Sequence, residues 1–212
     1  MKKVMCFLIS GLLIIMPVYS YASYSFDTVP VWSNDVAVET FSQIQNKVDL
    51  NIASESAILM DEDTGTILYT KNEHEKLRPA SVTKVMTLLL TMEALDRGDI
   101  KLTDEVPCST KARQMGGSQI WLNETERLTV NEMLKAICVV SANDCTVAMA
   151  EFLGGTEEAF VQKMNDRAKE LGMNDTTFKN SHGIDEEGHM TSAYDVAFRY
   201  FRESEKYCNH SL

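Results

Sequence analysis

The chain has 212 residues, 44% of them hydrophobic and 24% charged, a composition that suits a globular protein with one sizeable buried core. Its formal net charge is −11. That balance argues against a nucleic-acid-binding surface, because phosphate recognition needs clustered Lys and Arg, and the acidity reads as solubility.

The N-terminus differs from the rest. Lys2 and Lys3 give a short positive start, Val4 to Val18 is almost wholly apolar, and Ser20-Tyr21-Ala22 ends in small residues at the two positions a signal peptidase reads. The pattern predicts a secretory signal over residues 1–22, cleaved after Ala22, and an exported, cell-envelope protein. An uncleaved anchor is disfavoured, because a membrane span needs about 20 apolar residues. Residues 23–52 are weakly patterned and read as a leader, so the domain is expected over 53–212.

Ser56 to Met60 and Thr66 to Tyr69 are short β-type runs around the turn formers Asp61-Glu62-Asp63-Thr64-Gly65, which predicts a hairpin. Pro79 precedes a helix predicted from Ser81 to about Leu95, with Val82, Val85, Met86, Leu88, Leu89, Leu90 and Met92 around its whole circumference. A helix apolar all round belongs in the middle of a domain. Thr129-Val130-Asn131-Glu132 has the spacing of a capping box and predicts a helix to about Val140. A second helix follows Asn143 and stops at Gly154-Gly155. A third starts at Thr156, carries Phe160, Met164, Ala168 and Leu171 on one face, and ends at Gly172. Thr191 and Ser192 open a last helix through Phe198. Two strands make a poor sheet by themselves, and no further obvious strand completes one.

Cys108, Cys138, Cys145 and Cys208 remain after the signal, with no Cys-x-x-Cys among them. The expectation is buried thiols, since cysteine is among the most buried residue types. The four histidines show no metal-ligand spacing, so neither a metal nor another cofactor is expected.

Ser81-Val82-Thr83-Lys84 places a serine and a lysine one helical turn apart on one face. A serine hydroxyl needs a neighbouring base to act as a nucleophile, and a lysine can be that base if burial or a nearby positive group lowers its pKa. Ser-x-x-K alone is a weak signal. The plain alternative is a capping serine with an exposed lysine, which the apolar helix argues against, because Lys84 would then be an unpaired internal charge. Ser141-Ala142-Asn143 falls in a break between two helices. The serine could relay a proton there, and the amide could bond a substrate backbone and the lysine. Taken alone, a simple N-cap explains it as well.

The two motifs sit in longer matching text. The run from Ser56 to Lys84, Met115-Gly116-Gly117-Ser118, Val140-Ser141-Ala142-Asn143-Asp144, Glu170-Leu171-Gly172-Met173-Asn174, Asn180-Ser181-His182-Gly183 and Gly188-His189-Met190-Thr191-Ser192-Ala193-Tyr194-Asp195 together resemble the low-molecular-weight penicillin-binding proteins, serine-type D-alanyl-D-alanine carboxypeptidases of peptidase family S11, over about residues 53 to 200. The resemblance implies an α/β (α+β) fold of the β-lactamase/transpeptidase type, an antiparallel sheet with a helical cluster. It also implies Ser81 as nucleophile, Lys84 as its base, Ser141 passing protons and Asn143 binding substrate. The implied partners are a peptidoglycan stem peptide and β-lactams that acylate Ser81; nothing is implied about oligomeric state.

One departure is plain: the family's third motif, Lys-Thr-Gly on a downstream strand, does not occur in this chain. Asp63-Thr64-Gly65-Thr66 matches it only in part and lies in the hairpin turn, and Ser181-His182-Gly183 is a loop match that does not replace it. The expectation is a C-terminally truncated domain that is nearly inactive and poorly stable alone. A non-catalytic or partner-complemented fragment is the alternative, and a β-lactamase is less favoured. Glu170 and Asn174 have the spacing of the β-lactamase Glu-x-x-x-Asn but read as the end of an amphipathic helix.

Overall fold

The computed structural model describes residues 50–61 and 64–197. The predicted signal, nearly all of the leader, Cys208 and the polar end lie outside the described residues. The chain divides into two compact units, Met1–Asn72 and Glu73–Leu212.

In the first unit, β1 (Ala57–Met60) pairs antiparallel with β2 (Ile67–Lys71), with a bulge between Leu59 and Met60. The turn closes as predicted: Asp61 N donates to Thr66 O at 2.8 Å, and Gly65 N donates to Asp61 O at 2.9 Å. β2 runs on to Lys71, whose ammonium donates to the carbonyls of Ile52 and Ser54, both at 2.8 Å. That tie draws the last leader residues alongside the hairpin.

The second unit is built around α1 (Lys84–Asp96), entered through a 3₁₀ turn over Ala80–Thr83. The helix is apolar all round because it has two walls. Leu88, Met92, Ala94 and Leu95 pack into one core cluster with Val130, Met133, Leu134, Val147 and Met149. Met86, Leu89, Val82, Val85 and Leu90 pack into another with Phe160, Met164, Ala168 and Phe178. Hydrophobic burial on both sides fixes α1 as the spine that carries the Ser-x-x-K pair.

The remaining helices fall where the caps predict. Thr129 and Glu132 form the capping box of α3 (Val130–Val140), with β4 (Arg127–Thr129) leading in and β3 (Glu105–Pro107) paired to it antiparallel. Between those strands lies a short α2 (Thr110–Arg113), capped by Ser109. α4 (Asn143–Gly154) is buried from Asn143 to Ala150, and α5 (Glu157–Glu170) presents Phe160, Met164 and Ala168 inward. Residues 193–197 turn helically, and the rest of that predicted helix lies outside the described residues. The β3–β4 pair and α2 have no counterpart among the predicted elements, because segments of three or four residues carry too little periodicity to register.

The cysteine expectation needs one correction. Cys108 and Cys145 are buried, but Cys138 is exposed. The apolar stripe of α3 that faces the core is Val130, Met133, Leu134 and Ile137; Cys138, Val139 and Val140 sit beyond it, where the helix runs out toward the break at Ser141.

Candidate active site

Ser81 lies in the 3₁₀ turn and is exposed, whereas Lys84, one turn on, is only 4% exposed. The Lys84 ammonium donates to Ser81 Oγ at 3.2 Å and to the carbonyl oxygen of His182 at 2.8 Å. Burial lowers the Lys84 pKa to about 8. Desolvation alone accounts for the shift, and the nearby positive group envisaged from the sequence plays no part. Lys84 is therefore partly neutral near physiological pH, and its Nζ lies within hydrogen-bond distance of the hydroxyl it would have to deprotonate.

Ala80, just before the serine, has φ +46°, a conformation uncommon for a residue with a Cβ. Its backbone is met by Gly183, at φ +94°, where a Cβ would come within 1.9 Å of Ala80 O and 3.1 Å of Ser81 N. Only glycine allows the two chains to touch at this point. Two further links hold the same segment to α1, and a third ties the stretch that follows it to the turn before α1. Thr87 Oγ1 donates to Ser181 O at 2.8 Å, Lys84 reaches His182 O, and Thr83 Oγ1 meets His189 Nε2 at 2.7 Å. His189 Nδ1 accepts from Lys179 N, so its Nε2 carries the proton and donates to Thr83. Ser181-His182-Gly183 is thus more than a loop match: it is the wall against which the Ser-x-x-K pair is set.

Ser141 ends α3 in the left-handed conformation, at φ 59° and ψ 38°. The chain reverses there, and Asn143 starts α4, buried at 5% exposure. Its backbone N–H donates to Ser118 O at 2.7 Å and its side-chain amide to Gly116 O at 2.8 Å. A Cβ on Gly117 would sit 2.7 Å from that amide nitrogen, so the Gly116-Gly117-Ser118 turn is fitted to the asparagine. Asp144, fully buried, accepts from the N–H groups of Ile120 at 3.1 Å, Leu122 at 3.0 Å and Cys145 at 2.9 Å. The two loop bonds flank Trp121, which is held at φ 64° and 78% exposed. α1 packs against α4, which brings the elements bearing the two motifs together. No hydrogen bond joins Ser141 or Asn143 to Ser81 or Lys84 among the described residues; the Asn143 amide serves its loop.

Glu170 pairs with Arg167 at 3.1 Å on the exposed end of α5, and Asn174 is also exposed, which fits the helix-end reading. Among the described residues no group of three or more His, Cys, Asp and Glu side chains could hold a metal ion.

Residues 41–209 match the family model described as D-alanyl-D-alanine carboxypeptidase, peptidase S11. The chain belongs to this family. It is 55% identical over 163 residues to D-alanyl-D-alanine carboxypeptidase DacF of Bacillus subtilis, covering 76% of this chain and 42% of that protein. It is 38% identical over 146 residues to DacC of Escherichia coli, covering 66% of this chain and 36% of that protein. Among solved structures, the D-alanyl-D-alanine carboxypeptidase DacD of Francisella tularensis superposes with a TM-score of 0.72 at 33% identity, over 76% of this chain and 38% of that one. Penicillin-binding protein 5 of Haemophilus influenzae gives 0.71 at 32% identity, over 74% and 47%. The fold of this carboxypeptidase-family chain is accordingly the α+β, transpeptidase-like one expected from the sequence. The chain spans about two fifths of the length of these curated relatives.

Proposed function

We propose that this chain carries the nucleophile, the base and the second motif of a serine D-alanyl-D-alanine carboxypeptidase acting on peptidoglycan stem peptides. The observation that carries the reading is the buried Lys84 ammonium hydrogen-bonded to the exposed Ser81 hydroxyl, with its pKa lowered to about 8.

The neutral Lys84 amine takes the Ser81 proton as Oγ attacks the carbonyl carbon of the penultimate D-alanine. The tetrahedral intermediate collapses, the C–N bond breaks, and the proton passes to the leaving D-alanine amine, with Ser141 as the relay. Water then adds to the ester carbonyl, giving a proton to the same lysine; the C–Oγ bond breaks, the lysine returns the proton to Ser81 Oγ, and the shortened peptide leaves. In this reading Asn143, whose amide Nδ2 holds Gly116 O in the free chain, would bond the substrate backbone through its side chain. β-Lactams acylate Ser81 by the same attack; the related penicillin-binding protein D2 of Listeria monocytogenes is described in an ampicillin-bound form.

The test uses a hybrid in which this chain is continued by the C-terminal portion of the Bacillus relative, which supplies the family's Lys-Thr-Gly strand. Fluorescent penicillin is expected to label the hybrid, and Ser81→Ala to abolish the label. Persistent labelling of the Ser81→Ala hybrid would put the nucleophile elsewhere.

Export belongs to the same proposal, because the substrate lies outside the membrane. The charged start, apolar run and Ser20-Tyr21-Ala22 site support a mature chain beginning at Ser23. N-terminal sequencing of the secreted protein checks this, and a retained Met1 or Lys2 would reject cleavage.

A further inference from the structure

Glu157 is a carboxylate with no part in the chemistry above, yet it is buried at 5% exposure at the start of α5. Such burial is costly unless each oxygen is engaged. Oε1 accepts from Ser181 Oγ at 2.7 Å and from Ser181 N at 3.1 Å, and lies 3.6 Å from His182 Nε2. Oε2 lies 3.0 Å from the ammonium of Lys111, which reaches across from α2. Burial by itself would raise the Glu157 pKa, but the Ser181 hydrogen bonds and Lys111 hold it below the ordinary carboxylate value. His182 Nδ1 accepts the N–H of Ile184, so its proton is on Nε2, toward Glu157. Burial also lowers the His182 pKa, so the ring is neutral and the contact is polar.

The next atoms along the chain are the ones Lys84 uses. The carbonyl of Ser181 is held by Thr87, that of His182 by Lys84, and Gly183 touches the backbone of Ala80 and Ser81. The segment is therefore gripped on one side by α1 and the turn before it, and on the other by a single carboxylate.

We propose that Glu157 is a positioning residue for Lys84: it holds the Ser181–Gly183 segment so that the His182 carbonyl fixes the lysine amine beside Ser81 and keeps water from it. The inference rests on the catalytic reading of Ser81 and Lys84. Among the described residues, the charged or titratable groups facing this cluster are Lys111 from α2, Glu158 beside Glu157 on α5, and Lys179, His182, Asp185, Glu186 and His189 from the segment after α5. Lys111 is held protonated by Glu158 and Glu157, and burial lowers the pKa of His189 as it does that of His182. Of Lys84, Lys111, Glu157, Glu158, His182 and His189, only Lys84 therefore changes charge around pH 8.

Two effects of removing Glu157 have opposite signs. Loss of a negative charge would lower the Lys84 pKa further. Loss of the grip lets the segment move and water reach the amine, which raises the pKa toward that of an ordinary lysine. The test follows the Lys84 side-chain Cε resonance by NMR as a function of pH in the chain labelled with 13C-lysine, assigned with Lys84→Met. The wild-type midpoint is expected near 8. Glu157→Ala should move it up by about one unit or more, and Ser181→Ala by a smaller step in the same direction. Glu157→Gln keeps a carbonyl acceptor at the same reach and should stay within about half a unit of wild type. An unmoved or lowered midpoint in Glu157→Ala overturns the proposal, as does a Gln variant that shifts as far as Ala. If Glu157→Ala does not fold, an unmoved Ser181→Ala overturns it alone. The titration needs no turnover, so failure of Ser81 labelling in the hybrid would sink the catalytic reading without touching this result.

Discussion

Replacing Lys84 with methionine is expected to stabilise the chain near neutral pH while eliminating acylation. A lysine with a folded pKa near 8 against an ordinary value of 10.5 binds fewer protons folded than unfolded between those two pH values. Stability must therefore rise as pH climbs through that window, and below it the folded state carries the full cost of a buried ammonium. The depression from 10.5 to about 8 corresponds to about 3 kcal/mol at pH 7. Methionine has similar length and no charge, so it avoids that cost. It leaves the His182 carbonyl without its donor, at about 1 kcal/mol. The net expectation is a gain of about 2 kcal/mol at pH 7 that vanishes toward pH 10, read from chemical unfolding at both pH values. In the hybrid, Lys84→Met should slow penicillin acylation by at least about a hundredfold, since general-base catalysis is worth that much or more. In hybrids that retain Lys84, acylation should fall as pH drops below about 8, because the base becomes protonated. A destabilised Lys84→Met chain at pH 7, or one whose hybrid acylates at the wild-type rate, contradicts the assignment.

The second large effect is expected at Asp144, which follows the second motif and takes no part in the chemistry. Its carboxylate is fully buried and is engaged by the N–H groups of Ile120, Leu122 and Cys145. Asp144→Ala removes the acceptor and leaves the buried Leu122 and Cys145 donors and the half-buried Ile120 donor unpaired, at roughly 1–3 kcal/mol for each buried one before relaxation. Relaxation will recover part of that by letting the loop around Trp121 open to water, so a loss of about 3–4 kcal/mol is expected. Asp144→Asn keeps one carbonyl oxygen but turns an NH2 toward a donor, so it should cost about 2 kcal/mol. The Asn143 amide is held by Gly116 in the same loop, so the damage should spread to the second motif. Trp121 fluorescence, read in a Trp32→Phe background because the chain has two tryptophans, reports it: the indole sits between the two clamped amides of Ile120 and Leu122. Equal stability of Asp144→Ala and wild type would show that the loop holds itself without the carboxylate.

Much of this protein is legible in its local chemistry. The capping box at Thr129 and Glu132, the glycines that stop α4 and α5, and the apolar face of α5 all act within one or two turns, so their signal is contained in a short window of sequence. The same holds for the one-turn spacing of Ser81 and Lys84. Cys138 shows the limit of such short-range signals: its neighbours in sequence are apolar, but which side of the helix meets the core is decided by the elements packed against it, and Cys138 lies on the other side.

Sequence alone determined that a serine and a lysine share a face of a helix apolar on every side, and that Ser141-Ala142-Asn143 lies at a break between helices. Tertiary structure decided what those residues can do. Lys84 is partly neutral only because a segment about a hundred residues downstream in sequence covers it and offers one carbonyl, and that segment stays in place through Gly183, Thr87 and Glu157. Desolvation and hydrogen bonding depend on which atoms surround a group in space, and spacing along a chain carries no record of neighbours that distant.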